Sequence, residues 1–181
     1  MHASVFEECE LVAGQWRLIP FFAKSPRPSY QTNNARSEEL AAKATFRDPR
    51  KRGQRCIIPA RSFDEPNWES GKTVWWSFRP TDGQRWGLAG RWNTWKDKDT
   101  GELVESFTML TLNADAHPLM SRMHKLDPKV APEQHDKRSV VLLESTDWDV
   151  WLRAPLDEAQ QLIRLACVEM FNAEPSPEGA R

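Results

Sequence analysis

An amide, a carboxylate and an imidazole stand in three short segments of this chain. Asn34 opens Asn34-Ala35-Arg36-Ser37-Glu38, Glu65 closes Cys56-Ile57-Ile58-Pro59-Ala60-Arg61-Ser62-Phe63-Asp64-Glu65, and His124 ends Leu119-Met120-Ser121-Arg122-Met123-His124. An imidazole is the side chain best suited to exchange a proton near neutral pH. A carboxylate set just after a buried strand and among aromatics is placed to pass that proton on, although Phe-Asp-Glu-Pro by itself equally describes a solvent-facing turn. Asn34 can hold an orienting hydrogen bond, and Arg36 can grip a phosphate with two parallel bonds. Their plainer readings are turn chemistry for Asn34 and an ion pair with Glu38 or Glu39 for Arg36. Thr111 can offer a hydroxyl from the strand Glu105 to Leu112, or simply be a β-branched strand former. His135, in His135-Asp136-Lys137-Arg138, is the competing imidazole; His117, ahead of Pro118, reads as a turn residue.

Elements must position these groups. Leu11 to Ile19 reads as an apolar strand stopped by Pro20, and Ser25 to Asn34 as an ordered loop built on Pro26, Pro28 and paired Asn. Ser37, Glu38 and Glu39 precede Leu40 to Ala44 as a helix start suited to the helix dipole, with a second start at Asp48-Pro49. Cys56 to Pro59 is a buried strand. Thr73 to Arg79 and Gln84 to Trp92 read as a hairpin about Thr81-Asp82-Gly83. The polar turn Asp97 to Gly101 leads into the Glu105 strand. In the pair Trp75-Trp76 one ring is expected in the core and the other outside. Residues 125–138 read as an inserted surface loop, Ser139 to Leu143 as a strand, Trp148 to Leu152 as a helix, and Asp157 to Phe171 as a last amphipathic helix. The expected organisation is one domain over 1–171 and a disordered tail over 172–181. Strands with helices at intervals and no βαβ rhythm predict an α+β class.

Composition sets limits. The 181 residues, 39% hydrophobic, suffice for one sizeable core. With 25 Lys+Arg against 26 Asp+Glu, the global charge gives no support to nucleic-acid binding. A DNA role must rest on a local patch such as Arg47, Arg50, Lys51, Arg52 and Arg55, which is otherwise a solvated face. No apolar run is long enough to span a membrane and no basic leader precedes one, which predicts a cytoplasmic protein without a membrane partner. Cys9, Cys56 and Cys167 form no C-x-x-C pair, so neither a disulfide framework nor a zinc knuckle is expected. Cys56 and Cys167 are expected to be buried structural thiols.

In that order and with those flanks, the three segments resemble the SRAP family, SOS response-associated peptidases that crosslink to abasic sites in single-stranded DNA. The resemblance runs from Glu10 to Leu152 and includes Trp16-Arg17-Leu18-Ile19-Pro20, where the family has Trp-Gly-Leu-Ile-Pro; Asp64 and Pro66 replace the family's aromatic neighbours of the glutamate. It implies a curved, barrel-like antiparallel sheet with flanking helices. It implies catalytic roles for Asn34, Glu65 and His124 and DNA contacts for Arg36, Thr111, Arg47 and Trp16. It implies no metal and no cofactor, and as partner single-stranded DNA with abasic sites, making the protein nucleoid-associated when bound. The family's reactive group is an N-terminal cysteine freed from the initiator Met, whereas this chain begins Met1-His2-Ala3-Ser4. It therefore reads as the family domain without its N-terminal segment, open to self-association through exposed sheet edges. Three readings follow: a shortened abasic-site crosslinking enzyme, a nucleophile-free single-stranded DNA binding module, or a thiol hydrolase using Cys56 with His124.

Overall fold

The computed structural model describes residues 9–125, 129, 131 and 136–176. Its centre is the hairpin of β6 (Trp86–Lys96) and β7 (Leu103–Asn113), turned at Asp97, whose carboxylate accepts from the Asp99 and Thr100 N–H groups. The two strands pair from Lys96↔Leu103 to Gly90↔Met109 and then separate. Into the gap run β8 (Arg138–Val140) against β7 and β9 (Leu142–Leu143) against β6, with Val141 bonding both strands through Val141 N–H to Leu110 O and Ala89 N–H to Val141 O. On the outer edge of β6 lies β3 (Arg55–Ala60), antiparallel. On β7 lie β1 (Gln15–Trp16) and β2 (Asn34–Arg36), both parallel. The α+β class is as expected. The sheet is curved but mixed, and it does not close into a barrel.

A second, three-stranded sheet has the order β10-β5-β4, from β4 (Phe63–Asn67), β5 (Val74–Pro80) and β10 (Phe171–Pro175). Here two expectations fail. Thr81-Asp82-Gly83 does form a turn, with Gly83 at a φ of 70°. Its flanking strands nevertheless belong to different sheets, because β5 finds its partners in β4 and β10. The expected tail begins instead with a paired strand: β10 runs antiparallel to β5, Ser176 N–H reaches Trp75 O, and Glu174 pairs with Arg79 at 2.7 Å. Residues 177–181 lie outside the described residues.

Helices are short. The first expected helix is a 3-10 turn at Ser37–Glu39 followed by α1 (Ala44–Lys51). Pro49 lies inside α1 and does not start a new helix, because Phe46 and Arg47 already bond back to Lys43. α2 (Trp148–Arg153) is where the sequence puts it, but α3 is only Leu156–Gln160. The longer expected helix breaks because its apolar residues serve two cores. Leu162 packs with Phe46, Ala89, Leu110 and Trp151 between the large sheet and the helices. Leu165, Ala166 and Phe171 pack with Phe78, Trp86, Met120 and Met123 between the two sheets. The expected strand from Leu11 to Ile19 shrinks to Gln15–Trp16, because at Arg17 the chain turns at a φ of 141°. Its N–H still donates to Phe107 O, while the next N–H, of Leu18, turns to Thr32 O.

Candidate active site

Asn34 and Arg36 are two residues apart on β2, so they share a face while Ala35 between them is fully buried. The parallel register sets Asn34 beside Met109 and Arg36 beside Thr111. The facing wall comes from the smaller sheet. Glu65 stands on β4 opposite Trp76, its side chain 17% exposed.

His124 belongs to no long element, and it is tied down on two sides. Its own N–H donates to Pro66 O at 2.6 Å, and Met123 bridges antiparallel to Asn67, so β4 carries the histidine alongside Glu65. From the other side the buried ammonium of Lys137 donates to the carbonyl oxygens of both Met123 and His124. Burial lowers the pKa of that amine. Held in this way, His124 sits at a φ of 62°, a left-handed backbone that non-glycine residues adopt at functional sites when their surroundings fix it. The outcome is a contact of 3.0 Å between His124 Nε2 and Glu65 Oε2. A carboxylate and an imidazole joined by one hydrogen bond can pass a single proton between them and a bound substrate.

This pair faces a cavity of about 250 Å³ that is also lined by Asn34, Arg36, Thr111 and Arg138. A neighbouring hollow of about 290 Å³, with Tyr30, Lys43 and Phe46 in its walls, shares Asn34 and Arg36. Arg36 pairs with Asp136 at 2.6 Å and more loosely with Glu39 at 3.8 Å. Glu38 instead takes the fork of Arg138 in two bonds, 2.7 and 3.1 Å, which holds its carboxyl near a pKa of about 2. Arg138 also donates to Thr111 O, so Thr111 enters the site through its backbone as well as its buried side chain.

The other sequence candidates lie elsewhere. Arg47 is exposed on α1 and does not line the cavity. Trp16, 53% exposed, does not line the cavity, and its indole N–H donates to Asn33 O. The basic run is not one free patch. Arg55 turns inward to the carbonyls of Leu152 and Ala154, Arg52 bonds Asn93, and Arg50 bonds Gln160. His117 is buried; its Nδ1 accepts the N–H groups of Leu119 and Met120, and its Nε2 faces Ala166 O, a turn role as expected. Trp75 and Trp76 are both half-buried; Trp76 packs against the core between the two sheets and Trp75 does not, close to the expected division. Trp76 lies 5.3 Å from the Arg122 guanidinium. Burial pushes the Cys56 thiol up to about 12, and Cys56 does not line the cavity that holds His124, which removes support from a Cys56–His124 hydrolase. Cys167 is exposed, contrary to expectation, because the helix meant to bury it is absent. His135 lies outside the described residues.

Sequence reasoning missed Arg138, Lys137 and Asp136. Their signal was the His135-Asp136-Lys137-Arg138 run, read there for its histidine alone. Among the described residues no cluster of three His, Cys, Asp or Glu could hold a metal ion.

A family model described as SOS response associated peptidase (SRAP) matches residues 3–175. The chain is 31% identical over 142 residues to the abasic site processing protein HMCES of Xenopus tropicalis, covering 66% of this chain and 41% of that protein. It is 32% identical over 124 residues to the abasic site processing protein YobE of Bacillus subtilis, covering 68% and 55%. The chain thus spans about half the length of the curated relatives it matches. A solved structure from Bordetella bronchiseptica superposes with a TM-score of 0.79 at 34% identity, over 90% of this chain and 75% of that one. One from Bacteroides thetaiotaomicron gives 0.72 at 25% identity, over 88% and 66%.

Proposed function

The chain belongs to the SRAP family, and from that premise we propose that its cavity receives an abasic site in single-stranded DNA. The observation that carries this reading is the Glu65–His124 pair, 3.0 Å apart, facing a cavity whose opposite wall offers Asn34 and Arg36. The opened abasic sugar is small, polar and electrophilic. A cavity of about 250 Å³ with an acid–base pair on one wall and an amide on the other suits such a group. In this reading Glu65 and His124 move protons to and from the sugar, Asn34 orients the reacting groups, and Arg36 holds a flanking phosphate. Thr111 supports Arg138 at the rim. Trp16 offers an exposed ring for a neighbouring base and Arg47 a more distant charge.

The test is incubation with single-stranded DNA carrying one abasic site, run on a denaturing gel with and without borohydride. A protein amine that condenses with the sugar aldehyde, releasing water, gives an imine that borohydride reduces to a stable bond; a covalent band of that kind, lost in Glu65→Gln and His124→Asn, supports an acid–base site that still engages the aldehyde. Salt-sensitive retention of the abasic strand without any covalent band supports the binding-module reading. No preference for the abasic strand over an intact one refutes the proposed substrate. Self-association through the edge near Leu11, Val12 and Trp16, all exposed among the described residues, belongs to the same reading and is checked by sedimentation against concentration.

A further inference from the structure

Arg36 ends β2 opposite Thr111, and Arg138 opens β8 opposite Asn113, so two guanidiniums stand near one another at the rim of the Glu65–His124 cavity. One carboxylate joins them. Asp136 Oδ2 lies 2.6 Å from Arg36 Nη2, and Asp136 Oδ1 lies 2.9 Å from Arg138 Nη1 and accepts a longer bond of 3.3 Å from Asn113 Nδ2. Each oxygen of a single anion thus meets a different guanidinium. The two non-bridging oxygens of a phosphodiester make the same pattern.

The charges around this rim are matched. Arg36, Arg138 and Lys43 face Asp136, Glu38 and Glu39, with Glu38 on Arg138 at 2.7 Å and Glu39 on Lys43 at 2.5 Å. Among these six described charges no cation is in excess for an arriving phosphate until one carboxylate withdraws. Glu38 holds Arg138 through both oxygens, and Glu39 is engaged by Lys43. Asp136 alone of the three bridges the two arginines, and withdrawing it leaves each with another carboxylate to keep it in place.

We propose that Arg36 and Arg138 form a subsite for one phosphodiester, and that Asp136 occupies it as an internal stand-in until a strand displaces it. The inference rests on the reading that single-stranded DNA crosses this cavity. Strand binding is then an exchange of anions: the phosphate takes the two guanidinium contacts, and the Asp136 carboxylate passes into water. The arginines are pre-set for phosphate in the free protein, and the same contact holds back loosely bound anions.

The test measures two ligands on the intact chain. Fluorescence anisotropy with a labelled single-stranded oligonucleotide bearing one abasic site compares the native protein with Asp136→Asn and Glu39→Gln, after circular dichroism shows each folded. Removing the stand-in is expected to tighten strand binding about fivefold or more in Asp136→Asn, while Glu39→Gln, which removes an equal charge without bridging the arginines, changes it less than about twofold. Equal gains in both variants mean a general field effect and overturn the proposal. Unchanged or weaker binding in Asp136→Asn, which would make Asp136 a mere support for the arginines, also overturns it.

Inorganic phosphate, followed by its thermal stabilisation of the protein, separates the subsite from the DNA reading. Stabilisation of Asp136→Asn at phosphate concentrations that leave the native protein and Asp136→Asn/Arg138→Ala unmoved supports the subsite even if no strand binds, a result that would sink the DNA reading alone. No phosphate effect on Asp136→Asn overturns the subsite whatever the strand does.

Discussion

At position 17 glycine should be better tolerated than alanine, the reverse of the usual order. Arg17 holds a φ of 141° so that its N–H can reach Phe107 O at 3.0 Å while the next N–H reaches Thr32 O at 3.3 Å. For any residue with a Cβ this backbone costs about 1–3 kcal/mol. The Arg17 side chain returns little: a bond of 3.4 Å to Pro28 O, at the limit of useful length, and one of 3.2 Å to Gln31 in solvent, together about 0.5 kcal/mol. Arg17→Ala loses those bonds and keeps the strain, so it should be destabilised by about 0.5 kcal/mol. Arg17→Gly loses the same bonds and gives the unfolded chain about 0.5–1 kcal/mol more freedom, but it releases strain of about 2 kcal/mol, leaving a net gain of up to about 1 kcal/mol. Urea denaturation of the three proteins should place the midpoints in the order Gly, Arg, Ala. The Gly and Ala variants should melt about 2–6 °C apart. An alanine variant as stable as the glycine variant would refute the strain argument outright.

Thiol labelling of the native protein should modify Cys9 and Cys167 quickly and leave Cys56 for last, since Cys9 and Cys167 are exposed while Cys56 is half-buried and its pKa is raised to about 12; mass spectrometry over time reads the order. Lys137→Met should cost about 2–4 kcal/mol in urea unfolding, because the Met123 and His124 carbonyls lose their charged donor inside the protein. Glu38 has a pKa lowered to about 2 by Arg138, so its contribution to stability is complete above its usual value near 4.5 and disappears as the pH falls toward 2. Glu38→Gln should flatten the stability profile in that window, weakly and less so at high salt because the carboxylate is half exposed. Gly87→Ala should destabilise by about 1–3 kcal/mol, since its Cβ would stand 2.6 Å from Trp148 Nε1 and 2.7 Å from Ile57 Cγ2.

Local signals carried most of what was readable. Asn34, Arg36, Glu65, Thr111 and His124 could be picked from the sequence because each stands in a short run with its own flanks, and the structure gathers all five around one cavity. The turn at Asp97 is likewise local, being closed by its own side chain. Pairing over long distances left no such mark. Nothing near Phe171 announces that it will join β5 some ninety residues earlier in the chain. The spacing of Leu162, Leu165 and Phe171 suits a helix equally well, and only the division of these residues between two cores decides against one. Trp16 stands out by motif and Arg47 by motif and by its basic run, yet neither lines the cavity, because their flanks say nothing of the direction in which the side chain leaves the fold. Asp136 reaches Arg36, a hundred positions away, and Lys137 reaches His124, thirteen away, contacts that a reading of neighbours does not reach.

The cavity lies at the seam between the two sheets, and the seam divides its parts by ancestry of movement. Asn34, Arg36 and Thr111 ride on the larger sheet, whereas Glu65 rides on the smaller, and His124 is fastened to that same small sheet through Pro66 and Asn67. Glu65 and His124 therefore form a cassette anchored mainly on the smaller sheet, with Lys137, next to β8, tying its backbone to the larger. Slippage along the seam alters the aim of that cassette at whatever the larger sheet holds. Substitutions among Phe63, Phe78, Met120 and Phe171, which pack in the seam, offer a means to retune that aim without editing a single polar residue of the site.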